Sequence, residues 1–196
     1  MTPVARNILL ACIAGYALQQ FLFPWAEIHL ALWPLGDSPG AAPFRPWQLL
    51  SYGFLHGSFI HLFMNMFALY MFGPDIERLV GSRRFLIYYL VCVITAAATQ
   101  LIVMHTVADP SPTVGASGGV FGLLLAFGIA FPKRKLMLIF PPIPLPAWLF
   151  VTLYGLLELY LGFSGRDSNV AHFAHLGGMI GGFALIVYWR AQHLRR

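Results

Sequence analysis

Three short polar clusters interrupt a chain that is otherwise strongly apolar. They are His56 with His61-Leu62-Phe63-Met64-Asn65, Gly115-Ala116-Ser117-Gly118-Gly119, and Ala174-His175-Leu176-Gly177-Gly178. A hydroxyl, an imidazole and a carboxamide are the groups used by nucleophilic chemistry with a stabilised oxyanion. The i, i+4 spacing of His61 and Asn65 puts both on one helical face, one turn apart. Each cluster alone has a plainer reading. A lone serine in a membrane helix commonly bonds its own backbone and serves packing, and a lone histidine is as often structural. Three clusters on one side of a membrane read instead as a site, because polar side chains at that depth are costly.

The membrane follows from composition. The chain has 196 residues, of which 59 % are apolar and 10 % charged, and its mean hydropathy is +0.73. Soluble domains carry about 25 % charged residues, so a soluble globular domain, a disordered chain and a coiled coil are all excluded. Six apolar runs are expected as spans, at roughly 7–32, 57–73, 84–106, 116–131, 146–163 and 170–190. The expected fold is an all-α polytopic membrane protein, a single domain over 1–196. Proline and glycine punctuate the linkers, Gly73-Pro74 among them, and no β pattern is evident. The first outer loop, 33–56, carries Trp33, Phe44, Trp47, Tyr52 and Phe54 and is expected to lie partly in the membrane interface. The first run is too long for a signal-peptide core and reads as a retained helix.

The charges set a topology. A net charge of +5 is too scattered for a nucleic-acid face. Ten of the 12 basic residues (Arg6, Arg78, Arg83, Arg84, Lys133, Arg134, Lys135, Arg190, Arg195, Arg196) fall at the two ends or in the even loops. Arg45 and Arg166 fall on the other side. The positive-inside rule then puts both termini in the cytoplasm and loops 33–56, 107–115 and 164–169 outside. Cys12 and Cys92 sit in apolar runs and read as small hydrophobes.

Span 4 holds a second clue. Its inner end is pinned by Pro132 and Lys133-Arg134-Lys135. From Ser117 to Phe131 the helix rises about 21 Å, against a hydrocarbon core of about 30 Å. Ser117 is therefore expected roughly 10 Å below the outer surface, at a helix N-terminus whose free N–H groups favour developing negative charge. Gly115-x-Ser117-x-Gly119 also fits the nucleophile elbow of soluble hydrolases. That elbow needs a strand–turn–helix in an open sheet, which this chain lacks.

The ordered set His61-x-x-x-Asn65, Gly115-Ala116-Ser117-Gly118 and Ala174-His175-x-x-Gly178-x-x-x-Gly182 resembles the rhomboid intramembrane serine proteases. The stretches from Trp47 to Gly57 and from Phe72 to Arg78 resemble the family as well. The resemblance covers nearly the whole chain. It implies a six-span rhomboid-like bundle with Ser117 as nucleophile and His175 as general base. It implies His61, Asn65 and the Ser117 N–H as oxyanion donors. Gly178 and Gly182 become the small residues that let span 6 pack on span 4, and Phe121 an aromatic that packs on the catalytic imidazole. Gly115 and Gly118 flank the nucleophile, and His56 is a structural or water-holding histidine. Gln48 stands where the family often has Arg, which puts charge-mediated anchoring of the outer loop in doubt. His172, one turn before His175, is the rival base.

The implied chemistry is a Ser-His dyad without cofactor or metal. No buried carboxylate is expected beside the imidazole: Asp167 reads as solvated, and Glu158 as reaching to the interface with no catalytic role. Transmembrane segments of other proteins are the implied substrates, reached through the surrounding lipid and cut near their outer ends; no nucleic-acid partner is implied. Loop 164–169 is a candidate lid and span 5 a candidate side gate. Two other classes compete: an inactive rhomboid-like binding protein, and a small transporter or channel with a His-lined cavity. The first would lack the serine or the histidine, and the second needs polar residues in the inner halves of spans 2, 4 and 6. A compact core without a transit peptide suggests a bacterial inner membrane.

Overall fold

The computed structural model describes residues 1–36, 39–137, 142–164 and 171–193. The chain is a helical bundle. Its order is α1 (Pro3–Leu22), α2 (Trp25–Leu30), α3 (Gln48–Ser51), a 3₁₀ turn (Tyr52–Phe54), α4 (Phe59–Val80), α5 (Ser82–Val107), α6 (Ser117–Ala130), β1 (Lys135–Met137), β2 (Pro144–Pro146), α7 (Ala147–Ser164) and α8 (His172–His193). Among the described residues, four helices (α4, α5, α7 and α8) are long and apolar enough to cross a membrane. They make this a polytopic, multi-pass membrane protein.

The first apolar run is not one helix. Phe23 leaves the helical region, with ψ of 134°, because a following proline disfavours it and Pro24 has no N–H to continue the ladder. The N-terminus of α1 is held from across the bundle. The Glu77 carboxylate of α4 accepts from the Val4 N–H at 3.0 Å, the Ala5 N–H at 2.8 Å and the Ser82 hydroxyl at 2.7 Å. The two N–H groups are first-turn donors of α1 with no partner inside their own helix, and the Ser82 hydroxyl joins them from the start of α5.

Gly73-Pro74 does not end span 2. Helix α4 runs through both residues to Val80. An interior proline is tolerated in membrane helices where neighbours and local adjustment satisfy the freed backbone. Gly73 is needed for close approach, since a Cβ there would stand 3.2 Å from the Ala5 Cβ of α1. The inner linker also departs from expectation. It holds an antiparallel pair with Leu136 opposite Leu145. The Ala147 N–H donates to the Arg134 carbonyl at 2.8 Å, so bonded positions alternate along the ladder. Pro144 and Pro146 then fall on the alternate positions, where no N–H is owed.

Helix α6 is the axis of the bundle. It packs against α4, α5, α7 and α8, and Gly118, Val120, Phe121, Leu123, Leu124 and Phe127 are all buried. A helix apolar on every side is a core helix. The outward faces of the other helices stay apolar too: Phe59, Ile102, Leu156, Phe163 and Ile180 are exposed, as a lipid-facing surface requires.

The first outer loop is folded rather than extended. Gln48 is fully buried beneath it. Its Oε1 accepts from the Arg45 N–H at 3.1 Å and the Trp33 N–H at 3.4 Å, and its Nε2 reaches the His29 carbonyl at 3.5 Å. A neutral carboxamide therefore anchors the outer loop without a charge. Leu32 also bridges to Thr113, tying this loop to the one that leads into α6.

Candidate active site

Ser117 is the first residue of α6. The chain turns into that helix at Gly115, whose φ of +133° is a conformation side chains rarely adopt. A Cβ on Gly115 would also lie 2.7 Å from His61 Cε1 and 2.8 Å from His61 Nε2. Only glycine lets that imidazole close on the backbone beside Ser117. The Gly115 N–H donates to the Tyr52 carbonyl at 3.0 Å, which fixes the turn on the 3₁₀ segment. With 14 residues, α6 is about 21 Å long, shorter than a hydrocarbon core of about 30 Å. Its first N–H groups, that of Ser117 included, have no acceptor within the helix.

His175 comes to Ser117 from α8. Its Nε2 is 2.8 Å from Ser117 Oγ. Helices α6 and α8 can approach this closely because Gly178 lies on the backbone of Gly118, where a Cβ would overlap the Gly118 carbonyl. The ring of Phe121, one turn below Ser117, stacks on His175 with centroids 4.1 Å apart and planes 7° from parallel. Phe121 stacks with Tyr154 of α7 as well, at 5.1 Å. Gly182 differs from expectation. A side chain there would meet Tyr88 and Cys92 of α5, so it packs α8 on span 3 rather than span 4.

The expectation of no carboxylate beside the imidazole is corrected. Glu158 does not reach for the interface; it is 4 % exposed. Its Oε2 is 2.8 Å from His175 Nδ1 and 2.7 Å from His172 Nδ1. His172 thus faces Glu158, and its Nε2 is buried with no partner among the described residues. The signal was present in the sequence: an acid inside an apolar run marks function by default. What sequence could not show is that α7 turns this acid toward α8.

Glu158, His172 and His175 also form the one group of possible metal ligands among the described residues, their donor atoms lying within 4.8 Å of one another. Two ligands on one tetrahedral zinc, each about 2 Å from it, would sit about 3.3 Å apart. At 2.7 and 2.8 Å these atoms share protons instead.

On α4, Asn65 is buried and its Nδ2 donates to the His61 carbonyl at 3.0 Å. A carboxamide has two N–H groups, so one remains for a ligand. His61 meets His56 edge to face at 5.1 Å. Burial and the neighbouring His61 hold the His56 imidazole down at about 4, so it is neutral at pH 7. The proposed lid, loop 164–169, lies outside the described residues beyond Ser164, as do Arg166 and Asp167.

Residues 43–192 match the family model described as the Rhomboid domain. Rhomboid protease GluP of Bacillus subtilis is 35 % identical over 138 residues, which are 70 % of this chain and 25 % of that protein. The putative rhomboid protease YdcA of the same organism is 32 % identical over 190 residues, covering 93 % of this chain and 86 % of that protein. Rhomboid protein 1, mitochondrial, of Saccharomyces cerevisiae is 32 % identical over 137 residues, 69 % of this chain and 39 % of that protein. The chain thus spans a quarter of GluP and well under half of the yeast protein.

Proposed function

The chain belongs to the rhomboid family, and we propose that it is an intramembrane serine endopeptidase acting on transmembrane segments of other proteins. The observation that carries this reading is the 2.8 Å contact between His175 Nε2 and Ser117 Oγ at the start of α6. In the proposed reaction His175 takes the Ser117 proton as Oγ attacks a backbone carbonyl. The Ser117 N–H, Asn65 and His61 stabilise the oxyanion. His175 then gives the proton to the leaving amine, and water hydrolyses the ester. The chemistry uses no cofactor.

The protein is read as one domain with six spans, α1 and α6 joining the four long helices. Both termini are cytoplasmic, the first outer loop lies partly in the interface, and the site opens to the outer side of a bacterial inner membrane. The substrate reaches Ser117 through the lipid, so helix-weakening residues in the target favour cleavage. The test is cleavage of a single-span substrate by purified protein in liposomes. Wild type is expected to cut and to label with a fluorophosphonate, and Ser117→Ala and His175→Ala to do neither. Cleavage surviving in Ser117→Ala overturns the reading.

A further inference from the structure

We propose that Glu158 is a positioning residue for the reaction, completing a Ser117-His175-Glu158 triad that is braced by His172. The inference rests on the protease reading above.

The argument starts from protons. Each imidazole Nδ1 stands at hydrogen-bond distance from the same carboxylate oxygen, Glu158 Oε2. An ionised carboxylate only accepts, and one oxygen has lone pairs for two donors. Both rings therefore carry their proton on Nδ1. For His175 this leaves Nε2 as a bare lone pair pointed at Ser117 Oγ, 2.8 Å away. That is the tautomer a general base must have, and a buried carboxylate is what fixes it in soluble serine hydrolases. When the Ser117 proton moves to Nε2, the ring becomes an imidazolium. Its Nδ1–H stays donated to Glu158, which remains ionised and balances the new charge. The Nε2 proton then leaves on the departing amine.

His172 has a separate task. A carboxylate out of water needs more than one donor to stay ionised. His172 supplies the second, at 2.7 Å, from the turn before His175. Among the described residues its own Nε2 is buried without a partner, and its bond to the site is the one to Glu158. A tie serving only to join α7 to α8 would not need that oxygen shared with the ring that touches Ser117.

The test uses the full chain in detergent micelles. 15N-histidine spectra read the tautomer of each ring, with His175→Ala and His172→Ala identifying the two signals. Steady-state cleavage separates kcat from KM. In the wild type both rings are expected as Nδ1–H. Glu158→Leu, which keeps the bulk and removes the acceptor, is expected to mix the His175 tautomers. It should lower kcat about 100-fold with KM within about twofold. This is less than the about 10⁴-fold of soluble triads, because the Phe121 ring also holds the imidazole. Glu158→Gln keeps one acceptor and is expected to lose about 10-fold, and Glu158→Asp to recover part of the wild-type rate. If Glu158→Leu does not fold, Glu158→Gln decides alone. Unchanged kcat in the folded variants, or an Nε2–H tautomer at His175 in the wild type, overturns the proposal. If the wild type neither cleaves nor labels, the protease reading falls, and the tautomer spectra still decide whether Glu158 positions His175.

Discussion

The ring of Phe121 lies flat on the imidazole of His175, 4.1 Å away and 7° from parallel. The two belong to different helices, α6 and α8, and Phe121 stands one turn below Ser117 on the same helix. The stack therefore sets the plane in which His175 faces the serine.

Replacing Phe121 by Leu keeps an apolar fill and removes the stack, which is worth about 0.5–1.5 kcal/mol beyond burial. A freer imidazole should lower kcat about 10-fold, by the same energy arithmetic. Cleavage kinetics and the melting temperature together check this; a normal kcat would show that helix packing alone aims the ring.

Gly178→Ala places a methyl group against the Gly118 carbonyl. Overpacking of this kind costs about 1–3 kcal/mol, and the helices must part to admit it. The variant should melt earlier and lose fluorophosphonate labelling of Ser117, since the 2.8 Å contact depends on that approach. Gly182→Ala presses on α5 instead and should affect stability more than labelling.

Asn65→Ala removes one proposed oxyanion donor. The loss expected is about 2.7–4 kcal/mol of transition-state stabilisation, or 10²–10³ in kcat. KM should change little, because the donor acts on charge that develops during reaction. A KM effect without a kcat effect would assign Asn65 to binding.

Gln48→Ala leaves the Arg45 and Trp33 N–H groups without an acceptor under the outer loop. An unsatisfied buried group costs about 1–3 kcal/mol. A lower melting temperature and faster proteolysis within 33–47 are expected, with the catalytic contact itself intact in the surviving protein.

Glu77→Gln breaks the anchor of α1. The carboxylate serves three donors, and a carboxamide offers one acceptor oxygen and an unwanted N–H in its place. The expected cost is again about 1–3 kcal/mol. Thermal unfolding of the purified chain measures it.

Some of this was open to a reader of residues alone. Apolar runs show where the long helices lie, because a bilayer demands length and uniformity that local sequence displays directly. Their ends were less open. Pro24 breaks the first run, whereas Pro74 does not break the second, and what distinguishes them is the surroundings. Gly73 and Pro74 are both buried, Gly73 against α1, while Pro24 is exposed at a helix end. The short β1–β2 pair rests on three residues a side, too few to leave a period in the sequence.

The candidate site divides the same way. Composition and charge by themselves determine a membrane chain, and residue order supplies Ser117, His175, His61 and Asn65 as a set on three apolar segments. Facing is another matter. A helix of uniform apolarity has no polar side to mark which direction it turns, so the rotation of α7 is invisible along the chain. Only the packing of α7 on α8 brings Glu158 under both imidazoles, and only the packing of α8 on α5 and α6 separates the tasks of Gly182 and Gly178. These are relations between helices, fixed by side-chain volume across an interface, and no single segment encodes them.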